Sequence, residues 1–184
     1  SSGKMAYALA QEAAAAGAQV TLISGPVNLA TPESVTRIDV ESADEMLAAV
    51  MESISETNVF IGVAAVADYR PKQQANEKIK KDNEELNLSL VRNPDIISEV
   101  AKLNNKPFTV GFAAETNSIV ENGKQKLSNK KLDLLFANNA TDTFNSDSIS
   151  VTAITAEKEF EISTANKNVV ARKMLTMISE KVKS

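Results

Sequence analysis

The sequence predicts an α/β fold, a Rossmann-like and mostly parallel sheet flanked by helices, with a β-hairpin late in the chain. Three observations predict it. Short apolar runs recur at Gln19-Val20-Thr21-Leu22-Ile23, Val59-Phe60-Ile61-Gly62-Val63, Phe108-Thr109-Val110-Gly111-Phe112 and Leu132-Asp133-Leu134-Leu135-Phe136, each the length of a buried strand. Segments with apolar residues at helical spacing stand between them, and such alternation is the pattern of a parallel sheet covered by helices. Near the end the period changes: residues 149–154 and 159–162 read as two adjoining strands.

Taken in order, Met5, Ala8, Leu9, Ala13 and Ala16 mark a first helix, which Gly17 ends. The strand at 19–23 stops at Ser24-Gly25-Pro26, and residues 35–40 alternate as a second strand. Met46, Leu47, Val50, Met51 and Ile54 form the apolar stripe of the next helix, ahead of the strand at 59–63. Residues 86–91 alternate apolar and polar, as a half-exposed strand does. Asn93-Pro94-Asp95 supplies a cap, a proline and an acidic residue to a helix through Ile96, Ile97, Val100 and Leu103. The strand at 108–112 leads to a helix over 115–130, then to the strand at 132–136. A closing helix spans 167–182, with Val170, Met174, Met177 and Ile178 inward.

Composition narrows the chemistry. A chain of 184 residues suffices for one α/β domain, 1–184, and for no comfortable second one. It holds no His, Cys or Trp, which excludes imidazole catalysis, thiol nucleophiles, disulfides and zinc sites built on Cys or His. Lysines, carboxylates, hydroxyls, backbone amides and a hard metal ion remain, and they suit phosphoryl or nucleotidyl transfer. The net charge of −4 argues against broad nucleic-acid binding. No apolar run approaches the roughly 20 residues that span a bilayer. The lack of cysteine fits a cytoplasmic protein. The chain starts without Met inside a helix start, so a longer parent protein is expected.

Against that acidic background, Ala64-Ala65-Val66-Ala67-Asp68-Tyr69-Arg70 and then Glu77-Lys78-Ile79-Lys80-Lys81 form a cationic segment leaving a strand end. Ligands of open α/β sheets bind at the carboxyl ends of strands, so this segment is a candidate polyanion pocket; its plainer reading is a solvated surface loop. Ser1-Ser2-Gly3-Lys4 precedes the first helix and reads equally as a cap or as an anion site. Lys126 and Lys130 lie four apart, so both project from one helix face, either to grip a triphosphate or as an ordinary exposed face. Phe112 is a core residue by default and a base-stacking one by the sharper reading.

In combination these motifs, with Asn93-Pro94-Asp95-Ile96, Gly111-Phe112-Ala113-Ala114-Glu115-Thr116 and Phe144-Asn145-Ser146-Asp147, closely resemble the CTP-dependent phosphopantothenate–cysteine ligase domain of bacterial bifunctional coenzyme A biosynthesis proteins. The resemblance spans nearly the whole chain. It implies ligation of 4′-phosphopantothenate with cysteine through an acyl-cytidylate, with Mg2+ or Mn2+ as cofactor and CTP as co-substrate. It implies that Asp68 holds the metal–nucleotide and that Lys78 is the catalytic lysine beside the reacting phosphate. On the same basis Ala65, Pro94, Asp95, Ile96, Ile97 and Phe112 line the CTP site, and Lys126 and Lys130 take the triphosphate. Ser1, Ser2, Gly3, Ala64 and Ala65 then serve phosphopantothenate. The implied partners are a second copy of the chain, joined through the late hairpin, and an N-terminal flavin-binding decarboxylase domain.

The chain departs from the family pattern in three ways. The family's first strand, Gly-rich turn and substrate-binding asparagine lie upstream of Ser1, Ala6 stands where the family has Gly, and the segment 137–143 is short. A nicotinamide-dependent Rossmann oxidoreductase is the rival enzyme, although no G-x-G-x-x-G follows a strand. A nucleotide-binding module without turnover is the rival outside catalysis.

Overall fold

In the computed structural model, residues 2–73, 77, 87–139 and 147–183 are described. Their helices are α1 (Lys4–Ala15), α2 (Ala43–Ser53), α3 (Ile96–Ala101), α4 (Ile119–Asn129) and α5 (Lys167–Val182). Their strands are β1 (Val20–Ser24), β2 (Val35–Asp39), β3 (Val59–Gly62), β4 (Tyr69–Pro71), β5 (Leu90–Arg92), β6 (Phe108–Glu115), β7 (Leu134–Asn139), β8 (Ser148–Ile154) and β9 (Glu159–Asn166).

The central sheet runs β3-β6-β7-β8-β9. Its β3, β6 and β7 are parallel, while β8 and β9 form the expected late hairpin, antiparallel to β7. A parallel pair, β1-β2, and an antiparallel pair, β4-β5, form separate ladders, so the α/β Rossmann-like reading holds with its strands divided.

Strand parity decides what each side of the sheet carries. Val110, Leu134 and Phe136 point to the side covered by α1 and α5, where they meet Met5, Leu9, Val170, Met174 and Ile178. Ala113, Leu135 and Ala137 point to the other side, against Leu127 of α4. On that side α2 and α3 meet through Val50, Ile96 and Val100.

Local chemistry sets the helix starts. Ser42 caps α2, its side chain accepting from the Glu45 amide at 3.2 Å, while Glu45 accepts from the Glu41 amide at 2.9 Å. Gly3 precedes α1 with φ 74°, a left-handed conformation natural to glycine, and a Cβ there would meet Val27 at 3.2 Å. No helix among the described residues is long and apolar enough to cross a membrane.

Four expectations are corrected. The cap of α3 is Asp95, not Asn93, because the Asp95 carboxylate accepts from the Ser98 amide. The helix expected from Glu115 begins at Ile119, since Glu115 still pairs with Asn139 in the β6–β7 ladder. The strand expected at 132–136 runs from Leu134 to Asn139 for the same reason. The strand expected at 86–91 is Leu90–Arg92 among the described residues, paired with the unforeseen strand Tyr69–Pro71.

Candidate functional site

The carboxyl end of β3 lies against the middle of β6, where Gly62 and Gly111 are register partners, and a Cβ at Gly62 would meet Ile97 at 3.0 Å. Ile97 thus lies over two glycines and seats the first turn of α3 on the sheet. Ile96 is buried beside Val50 and Val100, so these two isoleucine side chains hold the helix down.

Just ahead of them, Asn93 joins two segments. Its amide donates to the Asp68 carbonyl at 2.8 Å, and its Nδ2 donates to the Ala67 carbonyl at 2.7 Å. Its Oδ1 accepts from Arg70 at 2.8 Å, and Arg70 also reaches Asp44 of α2 at 3.0 Å. The loop bearing Ala64, Ala65 and Asp68, all exposed, is thereby fixed beside Pro94 and Asp95.

Lys126 of α4 and Lys130, which follows its last turn, each meet a carboxylate. Lys130 Nζ lies 2.8 Å from Asp95 Oδ2, and Lys126 Nζ lies 2.5 Å from Glu115 Oε1. The other Glu115 oxygen accepts from Asn122 at 3.3 Å. Burial pushes the Asp95 carboxyl up, but its bonds with Lys130 and Ser98 outweigh that and hold it below its ordinary value. Gly123 lets α4 approach closely, because a Cβ there would run into Ile154.

Phe112 points the other way. By strand parity it joins the α1–α5 side, where it packs half-buried against the core. Ser2 is exposed at the start of α1 beside Gly3. One residue on, Lys4 lies 2.7 Å from Asp147 in a recess of about 410 Å³, which Tyr7, Thr31 and Lys167 also line. Burial and the neighbouring Lys4 charge push the Lys167 ammonium down. Ser1, Lys78 and Phe144 lie outside the described residues, as do the lysines at 80 and 81.

No cluster of three or more metal-ligating side chains occurs among the described residues. Asp68 is exposed, and its charge acts on Arg92 nearby. A carboxylate so placed suits a magnesium ion that arrives on nucleotide phosphates, since Mg2+ keeps several waters and needs only one or two protein carboxylates. Sequence reasoning passed over Asn93 as a brace and Glu115 as a lysine partner. The usable signal for Glu115 was its place at the end of an apolar strand, two residues beyond Ala113 on the same face.

Known proteins match this arrangement along its length. Residues 1–182 match the family described as the DNA/pantothenate metabolism flavoprotein C-terminal domain. The chain is 48% identical over 184 residues to the coenzyme A biosynthesis bifunctional protein CoaBC of Vibrio vulnificus (strain CMCP6), covering 97% of this chain and 46% of that protein. It is 53% identical over 154 residues to the CoaBC of Escherichia coli (strain K12), covering 80% of this chain and 38% of that one. The chain thus spans about half the length of the curated relatives it matches. The crystal structure of a CoaBC C-terminal domain superposes with a TM-score of 0.85 at 36% identity, covering 100% of this chain and 84% of that one. With one match running through both faces of the sheet and the edge between them, the chain belongs to the DNA/pantothenate metabolism flavoprotein C-terminal domain family.

Proposed function

We propose that the protein is a CTP-dependent phosphopantothenate–cysteine ligase of coenzyme A biosynthesis. The observation that carries the reading is the Asn93 brace, which ties the Asp68 loop to the loop before α3. It sets the Asp68 loop beside Asp95, which in turn meets Lys130. The relatives' name, coenzyme A biosynthesis bifunctional protein, supports the pathway.

The chemistry is activation followed by amide formation. A carboxylate resists amine attack until one of its oxygens belongs to a good leaving group. The phosphopantothenate carboxylate attacks the α-phosphorus of CTP, forming the acyl-cytidylate and expelling pyrophosphate. The cysteine amine then attacks the acyl carbon, loses its proton, and CMP departs. Negative charge develops beside phosphate oxygens in both steps, and preorganised cations stabilise it. Asp68 would hold a divalent ion carried by the nucleotide, which would supply neutralisation of phosphate charge. Lys78 is assigned to the reacting phosphate. Phosphopantothenate enters at the start of α1, by Ser1 to Gly3, and at Ala64 and Ala65.

Two partnerships and a location belong to the same proposal: self-association through the β8–β9 hairpin, a flavin-binding decarboxylase domain on the N-terminal side, and a cytoplasmic setting. Calorimetric titration with CTP, ATP and NAD in turn, followed by pyrophosphate release from CTP or ATP in the presence of phosphopantothenate and cysteine, tests the activity. Release is expected with CTP and both substrates. Lys78→Gln is expected to lower turnover by on the order of a hundredfold or more while leaving thermal unfolding unchanged. Turnover at the wild-type rate would remove Lys78 from the mechanism, and preference for ATP or NAD would overturn the nucleotide assignment.

A further inference from the structure

The loop between β3 and β4 runs from Val63 to Asp68, and its Ala64, Ala65, Ala67 and Asp68 are exposed. Exposed alanines bury little surface, so other contacts must offset the ordering of this backbone, about 1–2 kcal/mol per residue. Val66 supplies one by packing beside Val50, Ile96 and Val100. Asn93 supplies two more, through the Ala67 and Asp68 carbonyls.

The Asn93 side chain braces the loop only with its amide one way round. Its Nδ2 must face the Ala67 carbonyl, which accepts, so its Oδ1 must face a donor. That donor is Arg70, whose guanidinium donates and never accepts and therefore meets the oxygen alone. The same Nη1 donates to the Arg92 carbonyl at 3.1 Å, and Nη2 lies 3.0 Å from Asp44 Oδ2. Backbone pairing of Arg70 with Val91 fixes the root of the side chain, and Asp44 at the start of α2 fixes its far end. Behind Asp44, Val50 anchors α2 in the core. The planar fork thus meets three acceptors at once, which a lysine's point charge does not reproduce.

The side chains of Arg70 and Asp44 are 40% and 58% exposed, so their ion pair adds little to stability. Its effect falls on geometry instead. A fixed guanidinium fixes the Asn93 amide, and the amide fixes the backbone that carries Asp68.

We propose that Arg70, steadied from α2 by Asp44, is a positioning residue that holds the Asp68 carboxylate in place for a nucleotide-borne divalent ion. This rests on the CTP reading above. It brings α2, which bears none of the residues assigned to substrate, into the structure that shapes the site.

Calorimetric titration with CTP, in Mg2+ and again in EDTA, tests it on wild type, Arg70→Lys, Asp68→Asn and the double variant. Lysine keeps the charge and loses the fork. Arg70→Lys is expected to weaken CTP about fivefold or more in Mg2+ and less than about twofold in EDTA, with the thermal midpoint nearly unmoved. In the Asp68→Asn background the same substitution is expected to add nothing, because Arg70 acts through that carboxylate. Asp44→Asn is expected to follow Arg70→Lys in direction, with a smaller loss. An unchanged affinity of Arg70→Lys in Mg2+ overturns the proposal. So does an equal loss in EDTA, which would put Arg70 on the phosphates or in the fold at large, and so does a further loss on top of Asp68→Asn. If Arg70→Lys does not fold, Asp44→Asn at its exposed position carries the same comparison, with the same deciding outcomes. Failure of wild type to bind CTP in either condition would overturn the ligase reading itself; wild-type binding with an unmoved Arg70→Lys would overturn this inference alone.

Discussion

The two sides of the central sheet are built on opposite terms. On the α1–α5 side Val110, Leu134, Phe136, Val170 and Met174 are fully buried and interlock with one another. On the α3–α4 side two backbone glycines, a helix glycine and four charged side chains take the corresponding places near the strand ends. Strand parity thus sends the two sets of β6 residues to two different cores, and the second of these, with Ala113, Leu135, Ala137 and Ile154, also carries the charged pairs at its rim. Val110 and Phe112 join the α1–α5 core, and Glu115, at the end of the same strand, pairs with Lys126.

Substitution on the cohesive side gives the largest expected effect. Phe136→Ala removes a fully buried ring and is expected to lower unfolding free energy by about 3–5 kcal/mol, read from the urea midpoint, with CTP affinity of the folded fraction unchanged. A comparable loss of CTP affinity would show that the two sides are not independent. On the chemical side, Lys126→Ala strands the Glu115 carboxylate and is expected to cost about 1–3 kcal/mol. Adding Glu115→Gln should recover much of that, which a double-mutant cycle in urea measures; additive losses would mean the pair is not coupled.

The smallest effect concerns acid stability. The folded-state value of Asp95 lies below its ordinary 3.8, so its contribution is present above that pH and is lost as pH falls through the lower folded value. Lys130→Met removes one of the causes and should flatten this part of the acid-unfolding curve. With side chains 35% and 48% exposed, the pair is worth about 1 kcal/mol at most. An unchanged acid limb would show that the Ser98 cap alone sustains the shift.

Much of this division was legible in the chain. The apolar runs gave the strands, and the spacing of Lys126 and Lys130 gave a shared helix face. What stayed hidden was anything decided by pairing between distant strands. Glu115 reads locally as a helix start, and only its register with Asn139 keeps it extended. Asn93 reads as a cap because asparagine before proline is a good one, yet Arg70 and the 67–68 backbone recruit it first. Tyr69–Pro71 looked like loop because a three-residue strand has no period to detect; its partner lies some twenty residues on. Phe112 shows the converse: parity within an eight-residue strand already pointed it at the core.

The glycine pair under Ile97 also restricts how the protein can vary. Gly62 and Gly111 share a register, and the same side chain covers both, so a methyl added at either meets Ile97 or its leucine neighbours. At Gly111 the nearer obstacles are Leu132 and Leu135, but at Gly62 relief falls on Ile97 in the first turn of α3, beside the capping Asp95 whose carboxylate is tied to Lys130 at the end of α4. A small alteration deep in the sheet would therefore surface as a displaced charge at the rim. In a population of sequence variants, these two positions should act as a filter: substitutions that a stability screen passes are still sorted by what they do to the alignment of α3 with α4.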